Sequence, residues 1–511
     1  MRICTTLRVL SSLSIVAVVA TAAEPITPTF KMHRVGNYRS EACGVGDFNN
    51  DEKLDIIAGP YLYLAPDWKK VKVRTLKGKV DEKGNGYMYD FMNAPLDVDG
   101  DGLLDVVSCS WHEKRSVWFR NTGPKGGEWP ETVIEVKDNF EAGELWDVDG
   151  DGKRDEVVPA TKTTVWYEAG KLPDGKPGMV IHRVSDKPLT WGVGVGDVNG
   201  DGLIDFLRPD AWFQAYPKND RWRKHPLSLG GKDGKTEHTP QIWVYDVNDD
   251  GLNDIVTSSA HRYGIFWYEQ LADAPDSGDR AADSESAHIA TSLEINVIAV
   301  PHPDLCEISG GSDDGLKKGH VLTVYRRRSG HSVYVGRIKV ASTTFDRSAC
   351  KIMPEYLKCP MKRGDVVTSW LFDPPDKPLP SPRWKQHTID DSWSQAHAIT
   401  LADMDRDGDL DLVTGKRFKA HNGRDPGGND PPGVYWYELK RGPKPEWKKH
   451  VVSFDQGIGS GMEIPVVDLD GDGDLDIVVT GKWGGPVWFE NTGTGAAKPK
   501  INDLAPDRPA K

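Results

Sequence analysis

Asp97-Val98-Asp99-Gly100-Asp101-Gly102-Leu103-Leu104-Asp105-Val106-Val107 sets an acidic loop directly against a β-branched run. Side-chain oxygens at positions 1, 3, 5 and 9, a backbone carbonyl at 7 and a Gly at 6 suit a hard cation such as Ca²⁺. Such an ion takes about six to eight oxygens, and the Gly allows the tight turn. The apolar run that follows reads as a strand. The pattern recurs with its first Asp at Asp47, Asp97, Asp147, Asp197, Asp246, Asp403 and Asp468, in steps of 50, 50, 50, 49, 157 and 65. A period near fifty residues predicts a repeat architecture.

Each unit carries more than its loop. An aromatic strand follows, as in Val117-Trp118-Phe119, Val165-Trp166-Tyr167, Phe266-Trp267-Tyr268, Tyr435-Trp436-Tyr437 and Val487-Trp488-Phe489. A Trp/His strand comes next, as in Trp222 with His225, Trp384 with His387 and Trp447 with His450. Four antiparallel strands repeated radially make a propeller blade. The seventh unit stops after its aromatic strand, and Phe30-Lys31-Met32-His33-Arg34-Val35 resembles the outer strand it lacks. The expected fold is all-β: a seven-bladed β-propeller closed by its N-terminal strand, which leaves no exposed edge.

The step of 157 exceeds a normal one by 157 − 50 = 107 residues. This insertion, 271–382, opens with a polar stretch from Ala272 to Ala287 and continues with strand-like runs at 320–325 and 333–338. It is expected to form a small β-barrel. The propeller then occupies 24–270 and 383–494, with a disordered tail at 495–511. Gly311-Ser312-Asp313-Asp314-Gly315 lacks a final Asp and reads as an ordinary turn.

Lys plus Arg is 64 and Asp plus Glu is 77, a formal charge of −13 that argues against nucleic acid as a partner. Arg2 and Arg8, the apolar stretch Leu10 to Ala20, and Ala20-Thr21-Ala22 read as a signal peptide over 1–23. The mature chain is expected to be secreted or periplasmic, without membrane insertion. Cleavage leaves Cys43, Cys109, Cys306, Cys350 and Cys359, too irregular for a disulfide framework. Cys350 with Cys359, or simple buried thiols, are both open.

The expected Ca²⁺ ligands at position 1 are the seven aspartates named above. Position 3 supplies Asn49, Asp99, Asp149, Asn199, Asn248, Asp405 and Asp470. Position 5 supplies Asp51, Asp101, Asp151, Asp201, Asp250, Asp407 and Asp472, and position 9 supplies Asp55, Asp105, Asp155, Asp205, Asp254, Asp411 and Asp476. Without cations these carboxylates repel one another. Glu52 stands where the first loop needs Gly, which makes that site the weakest.

In a blade the acidic loop joins the innermost strand to the second. Inner-strand starts and the next loops therefore share the opposite face, around the central channel. That face collects Glu41, Asp90, Glu141, Trp191, His238, Gln241, His397 and Glu463, with Trp111, His112, Asp210, His261, Lys416, Arg417, His421, Lys482 and Trp483. His238, His261, His397, Lys416, Arg417, His421, Glu141 and Glu463 are the candidate catalytic residues. Four histidines at one mouth suit a divalent transition metal or acid–base work. Trp111, Trp191 and Trp483 could stack on sugar rings. His33, His182, His225, His387 and His450 repeat with the blade and read as structural. His112-Glu113 is followed by Ser116 rather than a second His, and no P-loop, dinucleotide fingerprint or nucleophile elbow is present.

Over residues 30–270 and 383–494 the chain resembles the secreted FG-GAP/VCBS repeat family, which implies structural calcium ions. The stretches 238–241, 259–264 and 416–423 are similar to the propeller of the aldos-2-ulose dehydratase family. That resemblance implies metal-assisted elimination from keto-sugars: a Lewis acid polarises the ketone and a base takes the adjacent proton. It covers the propeller only. Two functions follow as expectations: a calcium-binding propeller that binds carbohydrate with dehydratase or lyase activity at its mouth, or a non-catalytic adhesion or protein-interaction scaffold with a cell-surface ligand.

Overall fold

The computed structural model describes residues 26–493 except 124–126, 151, 217–221, 272–294, 310–311, 313–315, 329–330, 345–346, 355–356, 358–359 and 369–381. The signal-peptide and tail readings, Asp151, Cys359 and the polar stretch 272–287 lie outside the described residues. The described residues form an all-β molecule with two short 3-10 turns, and no helix among them is long and apolar enough to cross a membrane.

Seven four-stranded antiparallel sheets, propeller-like in their strand order, account for most of the described chain. In chain order they span 43–72, 93–136, 140–185, 194–226, 243–271 with 383–394, 396–454, and 466–491 with 30–40. They are called the first to seventh sheets below. The seventh is built from both ends of the described chain. Strand Phe30–Ser40 pairs antiparallel with Gly481–Asn491, placing Phe30 opposite Asn491. In the fifth, Tyr263–Leu271 pairs with Arg383–Ser394. Between those two strands in sequence lies a six-stranded sheet that closes on itself, from Ile295–His302 to Val366–Thr368. Its interior is apolar, with Val297, Ile308, Leu322, Val324, Ile338 and Cys350 buried. Arg337 on its strand His331–Thr343 is 4% exposed and donates from Nη2 to the carbonyl of Asp201, 3.1 Å away in the fourth acidic loop.

A repeated polar lock explains why one motif builds one sheet. The position-9 aspartate starts the second strand and is buried. Asp105 accepts N–H bonds from Val98 at 3.2 Å and Asn121 at 2.6 Å, and the indole N–H of Trp118 at 2.8 Å. Asp55, Asp205, Asp254, Asp411 and Asp476 make the same two backbone contacts. Loop, second strand and the end of the third strand are thereby tied to one carboxylate. Each bond contributes about 0.5–1.5 kcal/mol net, and more is lost if a buried donor is left unpaired.

The outer-strand histidines complete the lock. His33, His182, His225, His387 and His450 stack on Trp488, Trp166, Trp212, Trp267 and Trp436 with ring centroids 3.8–4.4 Å apart. Nε2 of His182, His387 and His450 meets Glu168, Glu269 and Glu438 at 2.7–2.8 Å, and that of His225 meets Gln214 at 3.1 Å.

Candidate functional site

The acidic loops fold on their own carboxylates. Asp97 accepts N–H bonds from Gly100, Asp101 and Gly102 at 2.8, 3.2 and 2.9 Å. Gly102 sits at φ 88°, a conformation glycine adopts at little cost. Glu52, at the equivalent place in the first loop, is held at φ 69°. Ligand atoms of Asp97, Asp99 and Asp101, and of Asp403, Asp405 and Asp407, lie within 4.8 Å of one another. Carboxylates gathered on a tight turn are the donor set a hard cation needs, so these loops fit calcium. In the second loop Arg120 supplies positive charge, pairing with Asp99 and, at 3.1 Å, with Asp101. The third loop departs from the expected register. Glu156, rather than Asp155, is the buried acid that accepts the Val148 N–H at 2.8 Å, and it clusters with Asp147 and Asp149.

On the other side, loops of successive sheets are stitched backbone to backbone. Thr239 N–H donates to Trp191 O, Gln395 to Arg262, Ser460 to Lys416 and Met462 to Glu41, and within the sixth sheet Arg417 donates to Gln395. These bonds fix the side chains of the candidate site. Glu141 is the second residue of strand Phe140–Trp146, and His397 the second of Ala396–Ala402. His261 sits in the turn between strands Asp254–Ser258 and Tyr263–Leu271.

Glu141 Oε1 lies 3.3 Å from His397 Nε2, 3.5 Å from His261 Nε2 and 3.8 Å from Arg417 Nη1. Arg417 is itself held by Glu41 through bonds of 2.8 and 3.2 Å. Around His261, the rings of His238, His397 and His421 have centroids 5.4, 5.1 and 4.6 Å away. Its Nδ1 faces Asp425 Oδ2 at 3.2 Å, and His421 Nδ1 meets Asp425 Oδ1 at 2.9 Å.

Burial and charge set distinct protonation states. Burial alone would raise Glu141, but the imidazoles of His261 and His397 hold it well below the usual carboxylate range. Burial works against a charged His261, yet the carboxylates of Asp425 and Glu141 raise it to about 9. His397 is pushed down to about 4, first by burial and then by the Arg417 charge. Burial also lowers His238. Lys482, lowered to about 8 by burial, lies 3.9 Å from the Tyr87 ring centroid and donates to Lys419 O.

A strap crosses beside this cluster. The hairpin of Gly78–Val80 and Gly86–Met88 contacts the segment after strand Asp411–Lys416. Gly86 N–H donates to Asn422 Oδ1 at 2.9 Å, and Lys419 Nζ donates to Lys83 O at 2.6 Å. Lys419, His421 and Asn422 all have left-handed backbones, with φ of 53°, 46° and 58°. Non-glycine residues held this way concentrate at functional sites.

Of the expected catalytic residues, Glu141, His238, His261, His397, Arg417 and His421 come together. Lys416 directs its ammonium to Ser394 O and Oγ, at 3.1 and 2.9 Å, and ties down that turn. Glu463 accepts backbone N–H bonds from Cys43 and Asn93 at 2.9 and 2.8 Å, a strut joining the first two sheets to the last. Trp111 and Trp191 pack with ring centroids 5.0 Å apart, and Trp191 lies 5.3 Å from His238. Asp425 and Tyr87 belong to the site without having been singled out from the sequence. Asp425 lies in Arg424-Asp425-Pro426-Gly427-Gly428, which carries turn chemistry only, and its four-residue distance from His421 was the one available signal.

No curated protein matches the chain. Among solved structures, the V. cholerae biofilm matrix protein Bap1 is similar with a TM-score of 0.38 and 12% identity, covering 91% of this chain and 89% of that one. Virginiamycin B lyase from Staphylococcus aureus is similar with a TM-score of 0.28 and 10% identity, covering 81% and 98%. Residues 97–158 match the FG-GAP-like repeat family. The chain thus carries an FG-GAP-like repeat, running from its second acidic loop into the second strand of its third sheet.

Proposed function

We propose that the protein is a secreted or periplasmic, calcium-binding seven-bladed propeller that binds carbohydrate at its histidine-rich mouth. There it holds a divalent transition metal and eliminates water from keto-sugars. The propeller comprises 24–270 and 383–494, and 271–382 is an inserted module. The observation that carries this reading is the convergence of Glu141, His261 and His397 from the third, fifth and sixth sheets, with their ligand atoms within 4.8 Å. The separations of 3.3 and 3.5 Å from Glu141 Oε1 match a tetrahedron's edge. Metal–ligand bonds of about 2.0–2.1 Å give edges of about 3.3 Å.

When bound, the ion polarises a ketone oxygen as a Lewis acid. His238, kept neutral by burial, is the base for the proton on the neighbouring carbon. Arg417, fixed by Glu41, orients Glu141. The calcium ions hold the loops on the opposite side and stay outside the chemistry. The inserted barrel favours a second reading, an adhesion or protein-interaction scaffold.

One experiment separates the two. After calcium chelation and removal of loose metal, elemental analysis is expected to find a stoichiometric transition metal, and keto-sugars are expected to gain the absorbance of a conjugated enone. A protein with neither retained metal nor sugar affinity is a scaffold.

A further inference from the structure

We propose that His261 is shared by two cation positions, one on each ring nitrogen, so that the mouth is a two-metal centre bridged by an imidazole. The inference rests on the metal reading above and adds a second ion to it. The first position is the Glu141–His261–His397 group, reached by Nε2. The second uses the other ring nitrogen: Nδ1 of His261 faces Asp425, and Nδ1 of His421 meets the same carboxylate, with one ligand atom from each of the three residues within 4.8 Å of the others.

Three observations point to a ligand at the second position. His261 Nδ1 and Asp425 Oδ2 face each other as an ion pair at 3.2 Å, and neither buried atom makes a hydrogen bond to any other group. Two such atoms, committed to nothing else, are placed where a cation could take the proton's position between them. Their separation is again close to the tetrahedral edge set by bonds of about 2.0–2.1 Å. Finally, His421 is held in place by Asp425 at 2.9 Å on a left-handed backbone with φ 46°. The loop stores strain to present this side chain.

The two positions differ in access. His397 is 1% exposed, whereas the His421 side chain is 56% exposed. The inner ion is therefore enclosed, and the outer one opens to solvent, where a hydroxylated ligand can reach it. Mixed imidazole and carboxylate donors suit Zn²⁺, Co²⁺ or Cu²⁺ rather than Ca²⁺. Bridging reduces the charge imbalance. His261 releases one ring proton to solvent as the first ion binds and the other as the second binds, and the resulting imidazolate joins Glu141 and Asp425 as a third negative ligand against the four positive charges of two divalent ions.

The test uses the full chain with its acidic loops saturated by calcium and Cu²⁺ as the probe. Titration followed by gel filtration is expected to retain two copper ions per chain, magnetically coupled through the imidazolate, so the paramagnetic resonance signal of the first ion is quenched as the second binds. Asp425→Asn is expected to retain one ion with its full signal, His397→Ala one ion, and His261→Ala neither. Near-ultraviolet circular dichroism confirms that each variant is folded. Zero retained ions in the wild type overturns the metal reading itself. One ion, unaffected by Asp425→Asn, leaves that reading standing and overturns the bridge. Two ions with independent signals, or loss of both in folded Asp425→Asn, also overturns it.

Discussion

Glu141 and His397 are 256 residues apart in sequence and meet at 3.3 Å, each as the second residue of its sheet's first strand. The same place in two repeats carries two different side-chain chemistries, an oxygen and a nitrogen, that meet at one point. Glu141→Gln keeps the shape and removes the charge. It is expected to lower zinc affinity by at least about 10–100-fold, the range seen when only a partner of a ligand is lost, while the melting midpoint hardly moves. Competition with a chromophoric chelator measures this, and an unchanged affinity would exclude Glu141 as a ligand.

Asp105 gives a contrasting case. Three donors converge on its buried carboxylate, so Asp105→Ala leaves them unpaired and is expected to cost about 3 kcal/mol or more. The loss should persist in chelator, because the bonds are internal. Asp99→Ala is expected to lower stability in calcium and not in chelator. Urea unfolding of both variants under both conditions distinguishes strut from ligand.

Calcium removal from the wild type is expected to lower the thermal midpoint, since the loops then gather carboxylates that a single arginine such as Arg120 offsets only in part. Scanning calorimetry with and without chelator provides the check. An unchanged midpoint with no retained ion would remove calcium from the account.

His225 makes stability pH-dependent. Burial, then the nearby Arg223 charge, pushes it down to about 4 from 6.5. As pH falls the unfolded chain takes up this proton first. The contribution of His225 is therefore complete above about pH 6.5 and is lost progressively towards pH 4. His225→Gln is expected to flatten the slope in that window. His225→Ala, which also loses the Trp212 stack and the Gln214 bond, is expected to cost about 1–3 kcal/mol at pH 7. Denaturation series at several pH values test both.

Deleting about 275–380 and joining the ends with a short polar linker is expected to leave a cooperatively unfolding protein, because a surface connection tolerates changes in length. The fourth acidic loop should register the loss, since Arg337 no longer covers Asp201. Its calcium is expected to exchange faster than in the full chain. Aggregation of the deletion variant would mark the barrel as integral.

Much of this was legible because the repeat is local. Each acidic loop bonds to itself, and the buried carboxylate lies eight residues beyond the first Asp, so a short window contains the instruction. The third loop misled for the same reason: Asp155 fits the spacing, but Glu156, one methylene longer, reaches the Val148 N–H from the next position. The mouth was legible only as a list of residues on one face. Which of them touch depends on turns that carry no period. Lys416 and Glu463 have the right chemistry and sit on that face, yet their polar atoms are taken by Ser394, Cys43 and Asn93. Asp425 arrives from a turn that spacing could not place.

The pairing of Phe30–Ser40 with Gly481–Asn491 has a consequence for the order of assembly. Thr29 and Thr492 are within hydrogen-bond reach of each other, so the first strand of the described chain has no strand to pair with until the last one has been synthesised. A ribosome can release six sheets one after another, but the clasp waits for the last strand. Trimming either terminus attacks the same seam, so an exoprotease entering from one end releases the other as well.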